Sequence, residues 1–173
     1  MVLAAIKKRR SYRDFQPQQV EKEKLNQVLK AAMFAPSANH QRPWEFIIIK
    51  DQKTKDLLAQ TKQWSYFVNR APIIIAVLGK IDPHNRYWLE DGCIAAENIY
   101  LEAENQGLGT CFVQIYGSKR DNGQDCEAYV KKILKIPANI GVLCLMPLGY
   151  PKQKLPPHSD SEFEPAKIHW EKY

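Results

Sequence analysis

Continuous apolar runs alternate along this chain with segments whose apolar residues recur every three or four positions. Residues 44–49 and 73–78 are apolar on both faces, which is typical of strands buried within a sheet. Residues 108–116 and 140–149 supply two further candidate strands. The run at 44–49 predicts a central strand, and the four runs together predict a sheet with helices on its faces.

Five segments have the spacing of amphipathic helices. They lie at 2–9, 20–35, 51–67, 89–107 and 126–134. Asp51 is placed to cap the third of them, and Gly107 closes the fourth, whose long apolar stripe suits a central helix or a dimer seam. Because no internal repeat or linker interrupts the alternation, residues 1–173 are expected to form a single α/β or α+β domain.

Five basic side chains fall within seven positions at 7–13, and Ser11 interrupts them. The planar fork of an arginine can hold a phosphate by two hydrogen bonds at once, so a serine among arginines predicts a phosphate cradle. Two other interpretations stay open. Basic residues also offset the macrodipole at the end of a helix, and a basic run can contact nucleic acid or a membrane surface.

The overall charge allows an anionic ligand without requiring nucleic acid. The net charge is +6 and the sequence pI about 9.1, but the basic residues crowd the first 13 positions instead of covering a whole face. The longest purely apolar run, 73–79, is too short to cross a bilayer. The N-terminus lacks the order of a signal peptide, because its apolar residues precede the charges. We therefore expect a cytoplasmic protein with no nucleic-acid or membrane partner.

The cysteines and histidines show no metal-ligand or dithiol spacing. The four cysteines are Cys93, Cys111, Cys126 and Cys144, and the histidines are His40, His84, His158 and His169. Each cysteine stands among apolar neighbours, which predicts buried, reduced thiols. No metal site is expected.

Two loops carry residues that could contact a ligand, at 36–39 and 108–110. Each is also an ordinary connection, the first a turn from helix to strand and the second a helix end followed by a strand. The sequence has no G-x-G-x-x-G, Walker loop or G-x-S-x-G motif. No sequence pattern therefore supplies a nucleophile and its base.

Taken together, these segments resemble the FMN-dependent nitroreductases, in the same order along nearly the whole chain. The similar segments are Arg-Arg-Ser-Tyr-Arg-Asp-Phe at 9–15, Ala-Pro-Ser at 35–37, Pro-Trp-Glu-Phe-Ile at 43–47, the stretch 104–111 and Leu-Gly-Tyr-Pro at 148–151. The resemblance implies an α+β, three-layer fold with a mixed β-sheet flanked by helices, in a domain-exchanged homodimer. It also implies two identical FMN sites at the subunit interface.

The resemblance assigns three groups of residues to the FMN site. Its phosphate and ribityl chain would be held by Arg9, Arg10, Ser11 and Arg13. The partner subunit would contribute Pro36, Ser37, Ala38, Asn39 and His40. The flavin ring would lie beside Gly109, Thr110, Cys111, Phe112, Val113 and Gln114.

Two departures from the family pattern bear on this assignment. The family usually has an asparagine and a glutamine where this chain has His40 and Arg42. Its tail also usually carries an arginine that reaches the phosphate, whereas no arginine follows Arg120 here, which leaves Lys152 or Lys154 as candidates for that role.

The reaction implied by the resemblance is ping-pong. NADH or NADPH would pass a hydride to flavin N5, and a small electron-poor acceptor such as a nitroaromatic compound or a quinone would then occupy the same pocket. The chemistry lies on the flavin, so no catalytic side chain is expected. Three alternatives stay open: a specialised substrate that is dehydrogenated or dehalogenated, or the fragmentation of flavin itself; a flavoprotein without turnover; and a binder of anionic polymers through residues 7–13.

Overall fold

The computed structural model describes residues 2–84 and 86–173. Its helices are α1 (Val2–Lys8), α2 (Lys22–Met33), α3 (Gln52–Ala59), α4 (Trp88–Asn105) and α5 (Cys126–Leu134). Its strands are β1 (Trp44–Ile49), β2 (Ile73–Lys80), β3 (Gly109–Thr110), β4 (Val113–Gln114) and β5 (Ile140–Gly149). The helices and strands therefore lie close to where the apolar patterns predict them.

The sheet has the strand order β1, β2, β5, β3, and β4 pairs with β5 beyond the end of β3. These strand pairs are antiparallel, and an isolated parallel bridge between Ser11 and Thr110 adds the N-terminal segment to the sheet. Alternate residues of β2 face opposite sides, so both faces must be covered.

Two apolar clusters cover the two faces and make three layers. On one face Ile73, Ile75 and Val77 of β2 pack with α2 and α4. On the other face Ile74 and Ala76 pack with α3 and α5. The predicted α+β three-layer architecture is confirmed, with α4 as its long central helix.

The prediction of a central strand at 44–49 is wrong, because β1 lies at the edge of the sheet and, among the described residues, pairs with β2 alone. An apolar run reports that the faces of a strand are buried, and it carries no information on how many neighbours the strand has. Ile47 and Ile48 of this strand are only half-buried.

The third helix is shorter than predicted and ends at Ala59. The Ser65 hydroxyl lies 3.0 Å from the carbonyl oxygen of Ala59 and 2.7 Å from that of Lys62. Such local side-chain bonds compete with the helical ladder, and the chain continues in two short 3-10 turns, Gln63–Ser65 and Val68–Arg70.

The predicted strand at 108–116 is broken into β3 and β4. The backbone N–H of Phe112 donates to the Tyr100 hydroxyl at 2.6 Å and so leaves the sheet ladder at that point. This tertiary contact comes from α4 and leaves no signature in residues 108–116 themselves.

The prediction that all four thiols are buried is wrong for Cys93, which is exposed, whereas the other three are buried and free.

In the described ranges, no helix is long and apolar enough to cross a membrane. Within the same ranges, no group of three or more His, Cys, Asp or Glu side chains could hold a metal ion.

Candidate functional site

The N-terminal segment after α1 docks along β3 and displays its arginines at the rim of the sheet. The backbone N–H of Tyr12 donates to the Thr110 carbonyl at 2.9 Å. The buried side chains of Tyr12 and Phe15 anchor the segment. A Cβ on Gly109 would lie 2.6 Å from the Tyr12 ring, so glycine is required there for this close approach. The structure thus brings the basic run at 9–13 against residues 109–114, as the assigned site requires.

Tyr100 of α4 joins these two segments. Its hydroxyl accepts the N–H of Phe112 at 2.6 Å and lies 3.1 Å from Ser11 Oγ. Burial raises the pKa of Tyr100, which keeps the phenol protonated and able to donate toward Ser11. From the sequence, Tyr100 was predicted only as part of the apolar stripe of α4. Its hydroxyl, which stands among apolar neighbours, was the feature that could have indicated a role in the site.

Arg9 and Arg10 contact the C-terminal tail. The Arg9 guanidinium lies 5.1 Å over the Tyr100 ring, and its Nη2 is 3.2 Å from His158 Nε2. Arg10 donates to the Pro156 carbonyl at 2.6 Å. His158 did not figure among the predicted site residues.

Arg13 points instead into a cleft of about 540 Å³ between β4 and the 3-10 turns at 63–70. Its guanidinium lies 5.8 Å over the Phe67 ring. The cleft is lined by Arg13, Lys62, Trp64, Tyr66, Phe67, Cys111, Phe112, Val113 and Gln114. Burial raises the pKa of the Cys111 thiol and so keeps it protonated. Lys62 donates to the Gln114 carbonyl at 2.5 Å. Lys62 and the aromatic side chains at 64–67 were not among the site residues predicted from the sequence.

These residues fit the predicted cofactor. The cations of Arg13 and Lys62 stand beside apolar walls in a cleft of the volume usual for small-molecule sites. Thr110, whose buried Oγ1 has no hydrogen-bond partner among the described residues, is not part of the lining of this cleft.

The Pro-Ser loop at 36–40 lies at the opposite end of α4. The backbone N–H of Ala38 donates to Asp91 Oδ1 at 2.9 Å, and Ser37 Oγ accepts from the N–H of Arg42 at 2.9 Å. At 1.5 Å per residue, Asp91 and Tyr100 are about 13 Å apart along the helix. Within one protomer the structure therefore does not bring residues 36–40 to residues 9–13.

The departures at His40 and Arg42 fall in a strained part of that loop. Asn39, His40 and Arg42 have φ values of 51°, 57° and 49°, in the left-handed region that side chains with a Cβ rarely occupy. Arg42 Nη2 also donates to the Met33 carbonyl at 3.3 Å, so this cation satisfies the C-terminal end of α2. The structure thus gives Arg42 a local contact at the end of α2.

Comparisons with known proteins agree with the fold. A family model described as the nitroreductase family matches residues 6–64 and 59–150. A protein of Methanothermobacter thermautotrophicus, provisionally named NADH dehydrogenase/NAD(P)H nitroreductase, is 32% identical over 99% of this chain and 87% of its own. The structure of an FMN-dependent nitroreductase from Clostridium difficile R20291 has a TM-score of 0.94 and 34% identity, covering 99% of both chains. An iodotyrosine deiodinase of Thermotoga neapolitana is 25% identical over 94% of this chain and 95% of its own.

Proposed function

The chain belongs to the nitroreductase family, and on that premise we propose that it is an FMN-dependent oxidoreductase that uses NADH or NADPH to reduce nitroaromatic compounds, quinones or similar electron-poor acceptors. The proposal rests on the contact between the basic segment at 9–13 and residues 110–114. The cations of Arg13 and Lys62 thereby lie beside an apolar cleft.

The residues of this chain bind and orient the cofactor. Arg9 and Arg10 at the rim hold the phosphate, because guanidinium groups form charge-assisted hydrogen bonds with an anion of charge near −2. Ser11, oriented by Tyr100, donates to the same end of the cofactor. Arg13 provides positive charge beside the aromatic wall of the cleft.

The cleft lined by residues 111–114 would hold the flavin ring, and Phe67 and Phe112 would exclude water from it. When bound, FMN would supply the redox chemistry, the transfer of two electrons from NADH or NADPH to the acceptor. No side chain is assigned an acid–base role.

The homodimer completes the site. Residues 36–40 lie too far from residues 9–13 within one protomer, so the loop of the partner subunit contributes to the site instead. Asp91 fixes the loop through the N–H of Ala38, and this fixed conformation presents the loop outward to a second subunit.

A second candidate function is reductive dehalogenation of an aromatic substrate. It is supported by the likeness to the Thermotoga neapolitana iodotyrosine deiodinase, which extends over nearly all of both chains. Release of iodide from iodotyrosine by the reduced protein, at a rate above that of nitroaromatic reduction, would favour this candidate.

The visible absorption spectrum tests the proposal first. We expect a yellow protein that bleaches when NADH or NADPH is added without oxygen and regains its colour when a nitroaromatic compound or a quinone follows. A protein that stays colourless after incubation with FMN would overturn the proposal.

Arg13→Ala provides a sharper test of the site. We expect this variant to purify without FMN, because it loses the cation at the cleft. Arg120→Ala is the matched control, since Arg120 also lies over an aromatic ring, that of Tyr129 at 3.8 Å, but lines a different cleft. Full FMN occupancy and normal turnover in Arg13→Ala would contradict the assigned role.

A further inference from the structure

The C-terminal tail folds back over the basic segment and makes contacts along it. The backbone N–H of His158 donates to the Lys7 carbonyl at 2.8 Å, and Lys7 Nζ pairs with Asp160. Arg10 reaches the Pro156 carbonyl. The tail residues 156–160 are therefore held beside the arginines assigned to the phosphate.

The orientation of the His158 ring follows from its two partners. Its Nε2 lies 3.2 Å from Arg9 Nη2, and its Nδ1 lies 2.6 Å from Glu162 Oε2. A guanidinium nitrogen can only donate, so Nε2 accepts and Nδ1 carries the proton that is donated to Glu162. Glu162 is in turn fixed by the N–H of Ser159, which donates to its Oε1 at 3.0 Å.

We propose that His158 is a further anion-binding residue of this site, holding the phosphate of FMN together with Arg9, and that Glu162 positions its ring. The inference rests on the proposed function. An arriving phosphate replaces the contact between Arg9 and His158 and receives an N–H from both groups. His158 Nε2 takes up a proton to become a donor, and the carboxylate of Glu162 on the other side of the ring stabilises the imidazolium.

Charges of both signs surround this pair. Lys7 pairs with Asp160, and the charge of Arg9 acts on the carboxyls of Glu97 and Glu104, lowering their pKa against the larger effect of partial burial, which raises it. His158 lies directly beside Arg9 and would give the phosphate a second donor there.

The two lysines suggested by the sequence for a phosphate contact from the tail are engaged elsewhere. Lys152 Nζ pairs with Asp14 at 3.1 Å, and its backbone N–H donates to the Asp14 carbonyl. Lys154 lines a separate cleft beside Lys8 and Glu104. Of these three tail residues, His158 is the one in contact with a predicted phosphate ligand.

The test compares two flavins that differ in the phosphate, FMN and riboflavin, by fluorescence titration of the flavin-free protein. We expect His158→Ala to weaken FMN binding by about 10- to 100-fold, the effect of losing one charge-assisted hydrogen bond, and to leave riboflavin binding unchanged. His158→Arg should restore most of the FMN affinity. Glu162→Gln should weaken FMN binding by a smaller factor, because the ring is then less well positioned.

His169→Ala is the matched control, because His169 is an exposed tail histidine that contacts only the Tyr173 ring among the contacts described for it. Retained riboflavin binding shows that a variant is folded. Wild-type FMN affinity in His158→Ala, or an equal loss for both flavins, would overturn the inference and leave the proposed function standing. Failure of the wild-type protein to bind FMN would overturn the proposed function and this inference with it.

Discussion

At the scale of single residues, the site depends on polar atoms that local sequence patterns do not reveal. Tyr100 and His158 each act through partners that are distant in the chain. The hydroxyl of Tyr100 serves both the basic segment and the break between β3 and β4. Its removal therefore tests whether the two halves of the site are coupled.

We expect Tyr100→Phe to lower the free energy of unfolding by about 1–3 kcal/mol, because the N–H of Phe112 loses its acceptor in a buried setting. FMN affinity should fall as well, since residues 110–114 are then less well held. Urea denaturation and flavin titration measure the two effects. Tyr129→Phe is the control, because the Tyr129 hydroxyl bonds the Leu57 carbonyl near solvent, and equal effects of the two changes would contradict the role of Tyr100.

At the scale of elements, helix α5 illustrates what local sequence does determine. Asp125 accepts the N–H of Ala128 at 2.9 Å and caps the helix. We expect Asp125→Ala to lower the free energy of unfolding by about 1 kcal/mol at neutral pH, whereas Asp125→Asn, which can still cap, should have a much smaller effect. Thermal denaturation of both variants checks this.

The same cap makes a pH-dependent contribution. The hydrogen bond from Ala128 lowers the pKa of Asp125 below its ordinary value of 3.8. A carboxylate with a lowered pKa stabilises the folded state above pH 3.8, and the effect is lost as the pH falls through the lowered value. The difference in the free energy of unfolding between the wild type and Asp125→Ala should therefore become smaller in acid. A gap that is constant from pH 7 to below that value would contradict the cap.

The spacing of apolar residues was enough to predict the strands and helices whose own side chains are buried in a regular pattern. The strand at 73–80 and the helix at 126–134 were predicted nearly in full, because each repeats a simple apolar pattern. The edge position of β1 and the interruption at 111–112 were not, since they depend on neighbours supplied by the tertiary structure. The site residues at 9–13 and 109–114 came from the family resemblance, and Lys62 and His158 became visible only when the chain was folded.

At the scale of the whole molecule, the protomer leaves one side of α1 without a covering. None of the α1 side chains is buried, and Val2 and Leu3 are 73% and 64% exposed. A seven-residue helix is too short to be stable in water without tertiary contacts. From this exposure and the separation of residues 36–40 from residues 9–13, we predict that a second subunit packs here.

We predict that the protein sediments at twice its chain mass of 20.0 kDa and that Leu3→Asp shifts it toward the monomer. A charge placed in an apolar interface must be desolvated, which disfavours association. The variant should also lose FMN, because in the proposed homodimer each site includes the loop at 36–40 of the partner subunit. Leu57→Asp is the matched control, since Leu57 is also an exposed leucine but lies on α3, in the layer on the opposite face of the sheet. Analytical ultracentrifugation with detection at the flavin absorbance follows mass and cofactor together, and a wild-type monomer that retains FMN would show that the partner subunit is not needed.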